Sequence, residues 1–283
     1  MIRAVVLGAG RRVQEDVIPS LLACGLRQNE ILIVRKKPSN LSQFPKIICI
    51  NSLQDFDKTR LSKVTILISC LPSDIQGIYI SQLSERFDFK TILVDTPVEG
   101  IFRVLNQELL DKIRVLEDAG IVFNLFHFSF SRPNIILNYK GFFDYHGVAI
   151  LNSLTKPKLK VIIRRIPKLN LRIYLAKKCI CISIGQRNYK KSFFFMADIV
   201  RFRRVKLVDL QTSELRLEEL HYLASQLNID MKSLFEKFPK NTPEVKRLGL
   251  AFGLRQLFNR SITIFPKMEE ALMNEKLAKG LFE

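Results

Sequence analysis

Near the start of the chain, Val5-Val6-Leu7-Gly8-Ala9-Gly10-Arg11-Arg12-Val13 gathers residue types that can hold a phosphate. A short apolar run stops at two glycines, and a helical pattern through Val17, Ile18, Leu21 and Leu22 follows. Glycines let backbone approach a diphosphate closely, and the N–H groups and dipole of a helix N-terminus favour negative charge. Arg11 and Arg12 could add cationic contacts at this turn. The third glycine of Gly-x-Gly-x-x-Gly is absent, because Val13 stands in its place. Gly8 and Gly10 could equally serve a plain strand-to-helix turn. A second candidate group, Arg35-Lys36-Lys37-Pro38, follows the apolar run Glu30–Val34. An acid near that point would accept hydrogen bonds from the adenosine ribose of NAD; three cations there suit a 2′-phosphate and favour NADP(H) over NAD(H). A basic surface loop in a basic protein is the alternative.

The elements that must position these groups alternate in period. Strands are expected at Val5–Leu7, Glu30–Val34, Ile47–Ile50, Val64–Pro72, Thr91–Val94 and Ile121–Phe123. Helices are expected between them, around Leu53–Leu61, Ile75–Phe87 and Val104–Ala119. The run beginning at Val64 is apolar on both faces, as a covered parallel strand requires. Strands alternating with helices imply a doubly wound parallel sheet with right-handed crossovers. The stretch Asn138–Leu151 reads as a loop entering a helix. From Leu159 to Leu210 the period becomes two: Leu169, Leu171, Ile173 and Leu175 share one face, Asn170, Arg172 and Tyr174 the other. Helical patterns close the chain at Leu217–Asn228, Met231–Phe238, Pro243–Phe258 and Pro266–Leu281. The expected fold class is therefore α/β. Residues 1–122 form an N-terminal Rossmann sheet, and residues 123–283 a C-terminal α+β domain with an open antiparallel sheet.

Composition narrows the function classes. The chain has 283 residues, 47% hydrophobic and 25% charged, a globular balance. No apolar run reaches the ~18 residues that span a bilayer, and the first apolar run stops too early for a secretory signal. Cys24, Cys49, Cys70, Cys179 and Cys181 are odd in number and lack a C-x-x-C pair, which reads as reduced thiols in the cytoplasm. Cys179 and Cys181 have no His or Cys neighbour to complete a zinc site, so no metal is expected. The formal net charge is +18, and residues 156–206 alone hold sixteen Lys or Arg against one acid, Asp198. Such a concentration suits an anionic substrate or partner, or simply a solvated basic face. Nucleic acid has only this charge behind it, without a zinc finger, an RNP-like string or a KH-type loop.

The order of these pieces resembles the Gfo/Idh/MocA oxidoreductases, named for glucose-fructose oxidoreductase and inositol dehydrogenase. The resemblance is carried by Gly8-Ala9-Gly10-Arg11, by Ile68-Ser69-Cys70-Leu71-Pro72, and by Val94-Asp95-Thr96-Pro97. It implies that Ser69, Leu71, Pro72, Asp95 and Pro97 line the cofactor, with Thr96 at the active site. In the family a Glu-Lys-Pro triplet places a lysine beside nicotinamide and substrate; here Thr96 replaces that lysine, and its hydroxyl is no substitute for an ammonium acid. The resemblance then points to Asp144 and His146 as the acid–base pair, although their spacing departs from the usual pattern. His146 is the first candidate because imidazole titrates near neutrality, with Asp144 to orient it. A capping or core histidine is the alternative, and His127 and Tyr145 are weaker candidates for the proton.

Three functions fit. One is an NADP(H)-dependent oxidoreductase acting on a carbonyl or hydroxyl of a sugar-like, anionic small molecule. Another is a biliverdin-type reductase, since biliverdin reductases share the two-domain plan and also lack the lysine. The third is a nucleotide-binding Rossmann sensor or scaffold that catalyses nothing. The family's open sheet face often builds a subunit interface, so a homodimer through the C-terminal sheet is a competing use of that surface.

Overall fold

The structure is a computed structural model that describes residues 1–35, 41–52, 61–97, 101, 105–116, 135–140, 171–176, 179–185, 191–198, 206–209, 225, 229–230, 244–260 and 263–282. Six parallel strands form the first sheet: β1 (Ile2–Leu7), β2 (Ile31–Val34), β3 (Ile48–Ile50), β4 (Leu61–Ser69), β5 (Thr91–Val94) and β6 (Ile113–Val115). Their spatial order is β3-β2-β1-β4-β5-β6. The two halves of the sheet thus run outward in opposite directions from β1 and β4, and in sheets of this order ligands bind in a crevice past the carboxyl ends of that central pair. Val5 pairs with Leu32 on one side and Leu67 on the other, and Ile68 pairs with Leu93. Leu7, Ile31, Ile33, Ile66, Leu67 and Ile68 are fully buried, as expected of strands covered on both faces. Each such side chain contributes roughly 1.5–3 kcal/mol by leaving water.

The helix after the glycine turn is wound wide at its start. Residues Val13–Val17 are π-helical before α1 (Ile18–Ala23) begins, and the amide of Ile18 bonds the carbonyl of Val13. Two features favour the wide turn. Pro19 has no N–H for the carbonyl four residues back, so an α-helical bond is missing there in any case. Val13, wholly buried, puts a β-branched side chain where a glycine would allow close helix–strand packing.

Three expectations need correction. The sixth strand is Ile113–Val115, inside the stretch expected to be one helix over Val104–Ala119; the helix there, α3, is only Gln107–Lys112. Leu109, Ile113 and Leu116 fit a helical period, but pairing of Ile113 with Ile92 and of Val115 with Val94 buries both β-branched residues at the sheet edge, and tertiary pairing wins. Asn106 caps α3, its side chain accepting from the Leu109 amide at 2.9 Å. Residues 121–123 lie outside the described residues. Second, Leu61 belongs to β4 rather than to a preceding helix. Third, Asn138-Tyr139-Lys140 is not a loop but the end of β7 (Ile135–Lys140), paired antiparallel with a later strand. Helix α2 (Ser73–Ser84) falls where expected, shifted by two to three residues.

A second sheet joins β7 to β8 (Leu171–Ala176), β9 (Cys179–Gly185), β10 (Lys191–Asp198) and β11 (Lys206–Asp209), in the order β11-β7-β10-β9-β8. Its pairings are antiparallel except for β11 with β7, which is parallel. Of the sixteen cations between 156 and 206, only Arg172, Lys191 and Lys206 fall on these strands. The expectation of a cationic sheet face therefore rests on positions outside the described residues.

The chain closes with α4 (Glu244–Arg260) and α5 (Met268–Phe282). One compact unit comprises Met1–Glu117, Ile229–Asn241 and Leu250–Leu272; the other comprises Asp118–Asn228, Thr242–Gly249 and Met273–Glu283. Within the first unit, late residues finish the early sheet. The Val115 amide bonds the Pro266 carbonyl at 3.0 Å, and Lys267 bridges Arg114 antiparallel. The Arg3 guanidinium lies 5.0 Å from the centre of the Phe258 ring. A side chain on Gly253 would begin 2.5 Å from the tip of the Phe265 ring, so glycine there makes room for that ring against α4.

Candidate functional site

The glycine turn sits at the carboxyl end of β1, and neighbouring strand ends build the crevice beside it. The Gly8 amide donates to the Val34 carbonyl at 2.9 Å, and the Cys70 amide donates to the Leu7 carbonyl at 3.0 Å. Gly8 has φ +99°, and a Cβ there would lie 3.3 Å from the Cys70 carbonyl oxygen. Its glycine is thus required by the turn itself. Gly10 is different. It is exposed, its φ is not left-handed, and a Cβ on it would meet nothing within 4 Å among the described residues. Nothing in the turn demands glycine at position 10. Gln14 holds the turn from inside: its amide donates to the Gly10 carbonyl at 3.1 Å and its Nε2 to the Ala9 carbonyl at 2.7 Å.

Both arginines of the turn have carboxylate partners. Arg11 Nε donates to Glu15 at 2.9 Å on the exposed side. Arg12 Nη1 donates to Asp16 at 2.9 Å, and its Nε reaches Asp95 at 3.0 Å, beyond the end of β5. Since β4 lies between β1 and β5, this ion pair spans the end of β4. Asp16 escaped notice in the sequence, although its spacing of four from Arg12 is the signal that could have found it. Its side chain is only 4% exposed, against 28% for Asp95. The Asp95 backbone is anchored by its amide to the Ser69 carbonyl at 3.0 Å. Desolvation pushes the Cys70 thiol well above its ordinary pKa, with nearby Asp95 adding to the rise. That thiol is inert as a nucleophile near neutral pH.

The remaining candidates are placed as follows. Ser69 is fully buried, its hydroxyl 3.4 Å from Gln76 Oε1, so it faces the interior rather than the crevice. Gln76 is also fully buried, and its Nε2 has no partner among the described residues. Leu71 approaches the Gly8 position to 3.7 Å, and exposed Pro72 leads into α2. Thr96 is exposed and Pro97 half-buried, beside Asp95. Arg35 follows β2, its amide bonded to the Ile50 carbonyl at 3.0 Å. Lys36, Asp144 and His146, with His127 and Tyr145, lie outside the described residues. The structure therefore brings Gly8, Gly10, Arg12, Leu71 and Asp95 to the carboxyl ends of β1, β4 and β5, and the acid–base pair lies outside the described residues.

A separate cavity of about 560 Å³ opens near the amino end of β5, lined by Ser84, Arg86, Asp88, Asn106 and Lys112 among others. Hydrogen bonds that Lys112 donates to Asp88 and to Glu108 raise its pKa, and both carboxylates offset its charge. Open parallel sheets bind their ligands past the carboxyl ends instead, so the glycine crevice is the better candidate. Among the described residues no cluster of His, Cys, Asp or Glu could hold a metal, and no helix is long and apolar enough to cross a membrane.

The strand order and the glycine turn define the Rossmann class of nucleotide-binding folds. Over its whole length the chain shares its fold with solved oxidoreductases and dehydrogenases. An oxidoreductase from Bacillus cereus matches with a TM-score of 0.54 at 10% identity, over 100% of this chain and 96% of its own. A myo-inositol dehydrogenase from Corynebacterium glutamicum matches with a TM-score of 0.52 at 9% identity, again over 100% and 96%. The WlbA dehydrogenase from Bordetella pertussis, solved in complex with NADH and UDP-GlcNAcA, matches with a TM-score of 0.50 at 10% identity over 99% and 94%. At such identities the likeness is one of fold. No protein-family model matches the sequence, nor does any curated protein sequence.

Proposed function

We propose that this chain is an NADP(H)-dependent oxidoreductase acting on a carbonyl or hydroxyl of a sugar-like, anionic small molecule. The observation that carries the reading is the contrast between the two glycines. Gly8 is explained by its backbone, whereas a side chain on Gly10, just past the end of β1, would meet no described residue, and close approach of a diphosphate would account for its absence. Gly10 would let the diphosphate meet the backbone, Leu71 and Pro72 would line the crevice, and Arg35 with Lys36 would receive the 2′-phosphate. The bound cofactor would supply or accept a hydride. Thr96 could donate a hydrogen bond to substrate, but the proton must come from a group that titrates, for which His146 with Asp144 is proposed. The proposed domains are 1–122 for the cofactor and 123–283, an α+β domain, for substrate and for a homodimer through its open sheet, with 229–241 and 250–272 of the latter packed into the first unit; the proposed compartment is the cytoplasm. WlbA's complex with NADH and a sugar nucleotide supports the ligand class.

Two measurements test this reading. Mass spectrometry of nucleotides released on denaturing the purified protein should find NADP(H). Calorimetric titration should show NADPH binding at least about ten-fold more tightly than NADH. No binding of either dinucleotide at millimolar concentration would end the cofactor reading, and equal affinities would end the NADP(H) preference. A non-catalytic nucleotide sensor is the second reading, favoured by the exposed threonine at position 96 in place of an acid. Binding of NADPH without turnover of any carbonyl or alcohol would select it.

A further inference from the structure

We propose that the Asp95 carboxylate competes with the ligand's diphosphate for Arg12, so that binding exchanges one anion for another at a guanidinium already held across the crevice. The proposal rests on the cofactor reading above and adds a control element to the same site. Arg12 crosses from the glycine turn to the end of β5, donating to Asp16 at 2.9 Å and to Asp95 at 3.0 Å. One guanidinium is shared between two carboxylates, and each of them offsets its attraction for a diphosphate.

The two partners are not equivalent. Asp16 is 4% exposed, packed on the π-helical turn four residues from Arg12, and could not leave without stranding a buried charge. Asp95 is 28% exposed on a bend, and its backbone is fixed by the Ser69 carbonyl, so its side chain can rotate to water while the chain stays in place. Asp16 is therefore the permanent counter-ion and Asp95 the exchangeable one. The arriving diphosphate takes the position that Asp95 vacates, and Asp16 keeps Arg12 oriented throughout. Asp95 thereby sets a threshold: a doubly charged phosphate group displaces it, whereas a monocarboxylate of similar charge to its own gains little.

The test titrates inorganic pyrophosphate and NADPH separately into the parent, Asp95→Asn, Asp95→Ala, Arg12→Gln, and the Arg12→Gln/Asp95→Asn double variant, at low and high salt. A hydrogen bond to a charged group, discounted for partial exposure, predicts that Asp95→Asn binds both probes tighter by on the order of 5- to 20-fold. The gain should vanish in the Arg12→Gln background and shrink at high salt. Asp95→Ala should repeat the gain, and thermal melts identify any variant that has lost its fold. Unchanged or weaker binding in both Asp95 variants overturns the exchange, as does a gain that persists without Arg12. If pyrophosphate shows the Arg12-dependent gain while NADPH binds no variant, the exchange stands and the oxidoreductase reading falls. If NADPH binds the parent and the Asp95 variants equally, the exchange falls and the oxidoreductase reading stands.

Discussion

Valine at position 10 should strip the cofactor from the crevice and leave the fold intact, whereas alanine at position 8 should weaken the fold first. At Gly8 the backbone has φ +99°, a conformation that costs an L-residue roughly 1–3 kcal/mol, and the new Cβ would sit 3.3 Å from the Cys70 carbonyl oxygen. With each kcal/mol worth about 2–4 °C in a protein of 150–250 residues, Gly8→Ala should lower Tm by roughly 2–12 °C. At Gly10 a new side chain meets no neighbour among the described residues and no left-handed strain. Gly10→Val should therefore shift Tm by no more than about 2 °C. The isopropyl group would nonetheless keep a diphosphate off the backbone. Loss of one charge-assisted hydrogen bond, about 1.5–3 kcal/mol, predicts an NADPH affinity lower by roughly 10- to 100-fold. Differential scanning fluorimetry and calorimetric titration on the same preparations give both numbers. If Gly10→Val binds NADPH as the parent does, position 10 does not face the ligand and the reasoning from its open side fails.

Arg35→Ala should reduce NADPH affinity at least about five-fold and leave NADH affinity unchanged, as measured by paired titrations; equal losses for both cofactors would remove Arg35 from 2′-phosphate recognition. His146→Ala should lower turnover by at least about 100-fold with NADP(H) affinity unchanged, and surviving turnover would mean the proton comes from elsewhere. The acid stability of the first unit should depend on Glu30. Burial opposes its ionisation, but the Arg27 amide and guanidinium outweigh that and hold its pKa below the ordinary value. A lowered native pKa contributes stability above the unfolded value that is lost as pH falls through the native one. The Tm gap between parent and Glu30→Gln should accordingly be constant above about pH 5.5 and close towards about pH 3; a gap unchanged at pH 3 would refute it.

Local pattern made much of the first unit legible. The apolar runs of β1, β2, β4 and β5 and the turn at Gly8 follow from side chains a few residues apart, because burial on both faces demands uninterrupted apolar residues wherever a parallel strand is to lie. Arg11 with Glu15 and Arg12 with Asp16 are equally local, being one helical turn apart, yet the expectation of phosphate contacts at both arginines passes over those partners. The same logic misread Ile113–Val115, where a helical period and a two-residue alternation coexist and only the presence of β5 alongside decides between them. Three things needed the tertiary structure. The order of strands brings Asp95 within 3.0 Å of a residue 83 positions earlier, a contact that no spacing along the chain encodes. The assignment of Gly8 to the backbone and Gly10 to an open side depends on what each glycine faces, namely the Cys70 carbonyl in one case and none of the described residues in the other. The return of residues 250–272 to the first unit, through Pro266, Lys267 and Phe258, depends on edges and rings that exist only once the sheet has formed. Periodicity reports which face of an element is buried; which element covers it is settled by the packing of the whole unit, where surfaces far apart in the chain complete one another.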